Sequence, residues 1–463
     1  MITPPGPRGR AAYRFLRNGS QGGTIEFLLE TARTYGPVSS FQIFGKRIYV
    51  VDDAELIRDM LVTRQHEFVR DSGANLLREL VGDGLITREE PSHKERRRLL
   101  QPAFHRDQVA SYAATMVRET ETFSSGWQNG ATVDIRREMR RLTLSIVGAC
   151  LFGTDFRDSA DAIANVLGGV ARKSVLLAPA FAFIEPFAVT YRKILPNGPS
   201  LFFRKERAAL DRIIAPLISS ERARQGSRTG TNVLELILQA SEAEGSSLRD
   251  EEVRNEIVTF VLAGHETTAT ALTWAWYLLG RHPEIAERMR DEIDSVLGRS
   301  PLRLESFPLL TYTNQVFHEA LRLYPPALAF ARRPKKKLRL GGYEIPAGAS
   351  IFMSPYATQR NARYFERPDD FDPDRWTAPN WPKFAFFPFG GGAKMCIGEP
   401  FARMEGVIAL AILGRSWQVL STDSAEAGLA NSMLLQPDRI LTMQVRSRVS
   451  ADRLRPIEAA VTG

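Results

Sequence analysis

Cys396 stands in the run Phe389-Gly390-Gly391-Gly392-Ala393-Lys394-Met395-Cys396-Ile397-Gly398, just before a helix-forming stretch that opens near Pro400. A cysteine at a helix start meets unpaired N–H groups and the positive end of the helix dipole. Both favour the thiolate, the form that binds metal. Three consecutive glycines permit positive φ and let the backbone approach a flat ligand. A phosphate loop is excluded, because Ala393-Lys394-Met395 lacks the Gly-Lys-Ser/Thr ending. Taken alone, the run also reads as a glycine turn around a buried core cysteine.

A second constellation is Ala263-Gly264-His265-Glu266-Thr267-Thr268. Helical spacing puts Thr259, Ala263, Glu266 and Thr267 on one face. An acid beside an alcohol in mid-helix suits proton delivery to a small bound guest, and Ala263-Gly264 leaves room for that guest. A zinc-protease helix is excluded, since Ala269 stands where a second histidine is needed. His265 reads as a packing residue. Two further patterns say little in isolation. Glu319-Ala320-Leu321-Arg322 is a helical ion-pair spacing, and His93 and Arg97 share a helix face at i, i+4.

Together these patterns, in this order, resemble the cytochrome P-450 superfamily, the haem-thiolate monooxygenases. The cysteine loop matches that family's Phe-x-x-Gly-x-x-x-Cys-x-Gly pattern, with Lys394 where an Arg or His usually stands. The resemblance implies that Cys396 is the axial ligand of haem b, that Phe389 shields the sulfur, and that Gly398 lets the next helix pass close to the porphyrin. It assigns proton delivery to Glu266 and Thr267, with Ala263 beside the oxygen site. It assigns haem propionates to His93, Arg97, Arg332 and Lys394. Pro373-Asp374-Arg375-Trp376 matches the partner of the Glu-x-x-Arg motif, which implies a structural network of Glu319, Arg322 and Arg375. Substrate contacts are expected from residues 71–86, the apolar stretch 175–189, Thr259, Leu328–Phe330 and the turn 433–435 with Leu434. These are mainly apolar, so a lipophilic substrate such as a fatty acid, terpene or steroid is expected. The implied reaction inserts one atom of dioxygen by hydroxylation or epoxidation. Alternatives are a haem-thiolate peroxygenase or isomerase that needs no dioxygen, or a non-catalytic haem sensor.

The elements that must position these residues are mostly helices. Val38–Val51 reads as a hairpin broken at Gly45-Lys46, where Lys46 and Arg47 form a solvated turn. Pro91–Leu100 opens a basic helix whose Lys94, Arg96 and Arg98 read as a solvated face. Phe202–Gln225 is amphipathic. Asp250 to Arg281 forms one long helix, its first turn acidic and its end marked by Pro283. Another helix spans Thr313–Leu323, short strands lie at Leu338–Leu340 and Ser350–Met353, and the last helix runs to Trp417. The expected fold is mainly α with a small β region, the cytochrome P-450 fold. It forms one domain over 1–463, with a Pro-rich extended start at 1–35, a β region at 36–70, the long helix at 250–281 and the cysteine loop at 389–398.

Composition narrows the remaining classes. Of 463 residues, 61 are Lys or Arg and 53 Asp or Glu, a net charge of +8. That excess is modest and suits an acidic protein partner more than a nucleic acid. Two cysteines, Cys150 and Cys396, exclude a disulfide framework and a cysteine zinc site. They fit a reducing, cytoplasmic setting, and Cys150 reads as a core residue. No apolar run is long enough to span a membrane. With no flavin or iron–sulfur module in the chain, electrons are expected from a separate ferredoxin or flavodoxin and its reductase.

Overall fold

The structure is a computed structural model that describes residues 3–16, 23–166, 168–170, 173, 203–224, 232–243, 248–430 and 434–448. The expected substrate stretch 175–189 lies outside the described residues, as does Met433.

The organising element is the helix Asp250–Arg281. Its 32 residues rise over about 48 Å. Asp250, Glu251 and Glu252 occupy its first turn, where the dipole favours negative charge. The Glu252 carboxylate folds back to accept the Arg249 N–H at 3.2 Å. Its far end stops against Pro283, which starts the helix Pro283–Leu297. Nearly every side chain from Val253 to Leu279 is buried, so the helix is wrapped on all sides by Ile135–Leu151, Thr311–Leu323 and Glu399–Ser416, among others. Gly264 sets one of these approaches. A Cβ there would lie 3.2 Å from the Val147 side chain.

The β structure lies to one side. A five-stranded sheet takes the order Val38–Ile43, Lys46–Val51, Ser350–Met353, Phe330–Pro334, Phe68–Arg70. Only the Lys46–Val51 and Ser350–Met353 pair is parallel. A second sheet joins Thr132–Asp134, Thr442–Ser447 and Trp417–Ser421, and Leu338–Leu340 pairs with Tyr343–Ile345. One apolar core extends from Leu80 to Val445 around the long helix. A smaller one, from Tyr49 to Phe387, joins the large sheet to the segment that leads into the cysteine loop. Among the described residues no helix is long and apolar enough to cross a membrane.

Three sequence expectations about elements are corrected. Residues 1–35 are not simply extended, because Thr24–Tyr35 is a helix with Ile25, Phe27, Leu28 and Ala32 buried. The apolar spacing there has a helical period that the prolines before it overshadowed. The hairpin turn sits at Phe44-Gly45, one residue before the expected Gly45-Lys46, because Ile43 pairs with Lys46. Both turn residues take positive φ, 48° and 76°, as a two-residue turn matched to strand twist requires. The last helix is Glu399–Ser416, and Trp417 already belongs to the following strand.

Candidate active site

The cysteine loop is held from three sides. The Cys396 N–H donates to the Phe389 carbonyl at 2.9 Å. Arg97 reaches across from the Ser92–Leu100 helix and donates to the Met395 carbonyl at 2.7 Å. The Ala393 N–H donates to Gln65 Oε1 at 2.8 Å. Two of the glycines are also required by neighbouring protein atoms. A Cβ on Gly391 would lie 2.4 Å from the Phe384 ring, and one on Gly392, whose φ is 69°, only 1.7 Å from the Leu61 carbonyl oxygen. Gly398 is different, with Phe104 and the Cys396 sulfur at ordinary contact distances of 3.8 and 3.9 Å.

Cys396 is exposed. Burial pushes its thiol up to about 11, while the N–H groups of Gly398 and Glu399 pull the other way, as does Arg97. Cys150, by contrast, is 4% exposed in the core, and burial raises its thiol further still.

Opposed cations stand near this loop. Arg332 and Arg70 are direct partners across antiparallel strands. Burial, and next the charge of Arg332, hold Arg70 down to about 10. Arg332 donates to the Ala331 carbonyl at 3.0 Å, and its pKa is lowered by burial. Lys394 pairs with Glu89, which also accepts the Arg70 N–H at 2.8 Å. His93 is 2% exposed, has Nδ1 3.1 Å from Glu90 Oε1, and has its pKa lowered by burial and then by Arg70. Arg96 corrects the expected solvated face. It is 8% exposed and points inward, 3.2 Å from Glu252 and 3.3 Å from Glu256, because the first turns of the long helix bring two carboxylates against that side. Lys94 and Arg98 are exposed.

On the long helix, Ala263, Gly264 and Thr267 alone are half-buried between Asn255 and Leu279. Thr267 Oγ1 donates to the Ala263 carbonyl at 2.7 Å, which leaves the lone pairs of its oxygen free to accept. The expected common face does not hold for the whole set. Glu266 turns to the helix Ile135–Leu151, where Arg140 Nε lies 3.0 and 2.9 Å from its two oxygens, and Gln436 Nε2 donates at 2.8 Å. Thr259 donates to the Asn255 carbonyl at 2.7 Å and presses on Gly84, where a Cβ would lie 2.1 Å from its Oγ1. His265 is fully buried with Nδ1 2.8 Å from the Val261 carbonyl. Arg140, absent from the sequence reading, shares a helix face with Arg136 at i, i+4, a spacing that by itself gives no sign of Glu266. Arg70, Glu89 and Gln436 carried no local signal.

The supporting network is fully formed. Arg322 Nε and Nη2 donate to the two Glu319 oxygens at 2.8 Å each, Arg375 Nε reaches Oε1 at 2.9 Å, and Trp376 Nε1 reaches Oε2 at 2.9 Å. Arg322 also donates to the carbonyls of Gln359, Pro368 and Asp370. Of the expected substrate contacts, Phe330 rests against Gly390 and Phe387, Leu328 offers its carbonyl to Ser354 at 2.8 Å, and Leu434 bridges to Ala327. Leu435 is core, with its carbonyl accepting from Trp274 Nε1 at 2.6 Å.

The donor set narrows the group this site can hold. A single thiol is offered, and among the described residues no group of three His, Cys, Asp or Glu side chains could hold a bare ion. A metal that brings most of its own ligands fits such a site, and paired guanidiniums beside it suit the carboxylates of a macrocycle. The Cytochrome P450 family model matches residues 4–442. The chain belongs to the cytochrome P450 family. It is 34% identical over 402 residues to cyclooctatin synthase of Streptomyces melanosporofaciens, covering 84% of each chain. It is 31% identical over 424 residues to pentalenene oxygenase of Streptomyces avermitilis, covering 89% of this chain and 91% of that one. It is 32% identical over 403 residues to cyclooctat-9-en-7-ol 5-monooxygenase of S. melanosporofaciens, covering 84% of each. The protein is thus a P450 monooxygenase, and haem-thiolate is the cofactor its family implies.

Proposed function

We propose that this P450 hydroxylates or epoxidises a cyclic terpene, with haem b bound through Cys396. The observation that carries the reading is the opening in the burial of the long helix between Asn255 and Leu279, at Ala263, Gly264 and Thr267. The substrate class is drawn from the relatives whose names specify pentalenene and cyclooctat-9-en-7-ol. Haem held by a thiolate supplies dioxygen activation and electron density that favours O–O cleavage. The chain supplies the rest. Thr267 Oγ1, its own proton given to the Ala263 carbonyl, accepts a hydrogen bond from a protonated guest and holds that proton in place. Glu266, paired with Arg140 and, at 3.7 Å, with the half-buried Arg136, lies on a route by which protons enter from outside. Arg97, Arg332, His93 and Lys394, joined by Arg70, hold the haem propionates. Phe389 shields the sulfur, and Gly398 lets the helix pass close to the porphyrin. Thr259 shapes the substrate pocket through Gly84, along with Leu328, Phe330 and Leu434.

Electrons arrive from a separate acidic ferredoxin or flavodoxin. A surface cleft of about 740 Å³ lined by Lys94, Arg97, Arg98, Gln101, His105 and Asp107 supports this, because Arg97 at its floor bonds the residue next to Cys396. The test is turnover of cyclic terpene hydrocarbons and alcohols with a ferredoxin, its reductase and ¹⁸O-labelled dioxygen. A product carrying one labelled oxygen is expected. Unlabelled product would transfer the reading to a peroxygenase or isomerase, and no product from any terpene would sink the substrate class.

A further inference from the structure

The helix Glu399–Ser416 begins three residues past Cys396, and its first turn carries an arrangement that the roles above leave unexplained. Glu399 opens that helix, so the chain itself keeps its backbone within about 10 Å of that of Cys396. One turn later, Arg403 Nη2 closes on Glu399 Oε1 at 2.7 Å. The same guanidinium stands 5.5 Å from the centre of the Phe389 ring. Its Nη1 meets Nε2 of His318, from the helix Thr311–Leu323. The tautomer of His318 follows from its other contact. Nδ1 lies 2.8 Å from the Asn314 carbonyl, which can only accept, so Nδ1 carries the proton and Nε2 accepts from Arg403. One cation is therefore aimed by a buried imidazole, neutralises the carboxylate that opens the helix after the cysteine, and sits on the ring that the cysteine loop presents.

A plain i, i+4 surface pair is worth little and would need neither the imidazole nor the ring. Arg403 has 34% of its side chain exposed, but the histidine that aims it is only 8% exposed, among Trp376 and Phe386. The group is built into the core on one side.

We propose that Arg403 is a positioning residue that sets the electron-donating strength of Cys396, by cancelling the charge of Glu399 and fixing the Phe389 ring, with His318 as its support. The proposal rests on Cys396 being the axial ligand. Its sign follows from electrostatics. Reduction adds negative charge at the bound metal, so a nearby cation favours the reduced form and a nearby carboxylate opposes it.

The experiment compares the one-electron reduction potential of the holoenzyme with that of Arg403→Gln, Arg403→Lys, Glu399→Gln and the double variant Arg403→Gln/Glu399→Gln. Haem content and the Soret band of the reduced carbon monoxide complex are recorded alongside. Arg403→Gln is expected to weaken reduction about tenfold, which for one electron is about 59 mV. Glu399→Gln should shift it the opposite way, the double variant should return close to the parent, and Arg403→Lys should keep most of the parental potential. A potential that stays put in Arg403→Gln, or a double variant no closer to the parent than the single one, overturns the proposal even if stability falls. Failure of the ligand reading would show separately, as a parent whose reduced carbon monoxide complex lacks the red-shifted thiolate band.

Discussion

Arg70 and Arg332 stand directly opposite each other in adjacent antiparallel strands, two half-buried arginines on one face of the sheet. Like charges so placed destabilise a strand pair by about 0.2–1 kcal/mol, and Glu89, already paired with Lys394, balances only part of this. Such a pair is expected where an anion with two carboxylates is to be held. Arg332→Gln should therefore stabilise the cofactor-free protein slightly and speed transfer of haem to an acceptor globin, about tenfold for the loss of one charge-assisted hydrogen bond. Denaturant midpoints of the apoprotein and haem-transfer rates measure the two effects. Transfer no faster than in the parent would remove Arg332 from the propionate set.

Thr267 and Glu266 are neighbours in sequence whose side chains serve different surroundings, a half-buried wall and the Arg140 carboxylate pair. Thr267→Ala should keep haem and substrate binding and lower product formed per reduced nicotinamide consumed, with the deficit appearing as peroxide. Glu266→Gln should slow turnover about 10²-fold, the lower range for a positioned acid or base, while leaving coupling less affected. Equal coupling in the parent and Thr267→Ala would be incompatible with the hydroxyl's role.

The Glu319 carboxylate is completely buried and accepts from Arg322, Arg375, Trp376 and the Asp372 N–H. Replacing Glu319 by Ala strands the Arg322 charge, fully buried, at about 3–5 kcal/mol. That is a large share of a typical stability of about 5–15 kcal/mol. Aggregated or haem-poor protein is expected, and Arg375→Ala should behave similarly though less severely, since Arg322 still pairs with Glu319. A Glu319→Ala protein with parental melting temperature and haem content would contradict this reading.

His318 supplies a pH dependence with a defined sign. Burial, and then the charge of Arg403, hold its pKa down to about 4, against an ordinary 6.5. Between those values the unfolded chain binds the proton and the folded one does not, so stability falls as the pH drops from about 6.5 toward 4. The shift corresponds to no more than about 3 kcal/mol. Unfolding free energies at pH 7 and pH 5 should differ less in His318→Asn than in the parent. An identical difference would show that His318 is not a contributor.

Much of the candidate site could be read from the chain alone, for a physical reason. The cysteine loop, the acid–alcohol pair and the Glu-x-x-Arg spacing are local. Chemistry at one helix turn or one loop needs fixed residue types at fixed offsets, and a linear sequence records offsets directly. The bounds of the long helix were equally open to view, with acids at one end and a proline at the other. Partners distant in sequence were not. That Arg70 faces Arg332, that Arg140 takes the Glu266 carboxylate, that Arg96 turns inward to Glu256, and that His318 aims Arg403 are consequences of strand register and helix packing. A basic helix looks the same in sequence whether or not two carboxylates are packed beneath it. The sequence by itself thus determined which groups can do the chemistry. The tertiary structure decided which charges they meet, because burial and long-range pairing arise only when separate segments exclude water together.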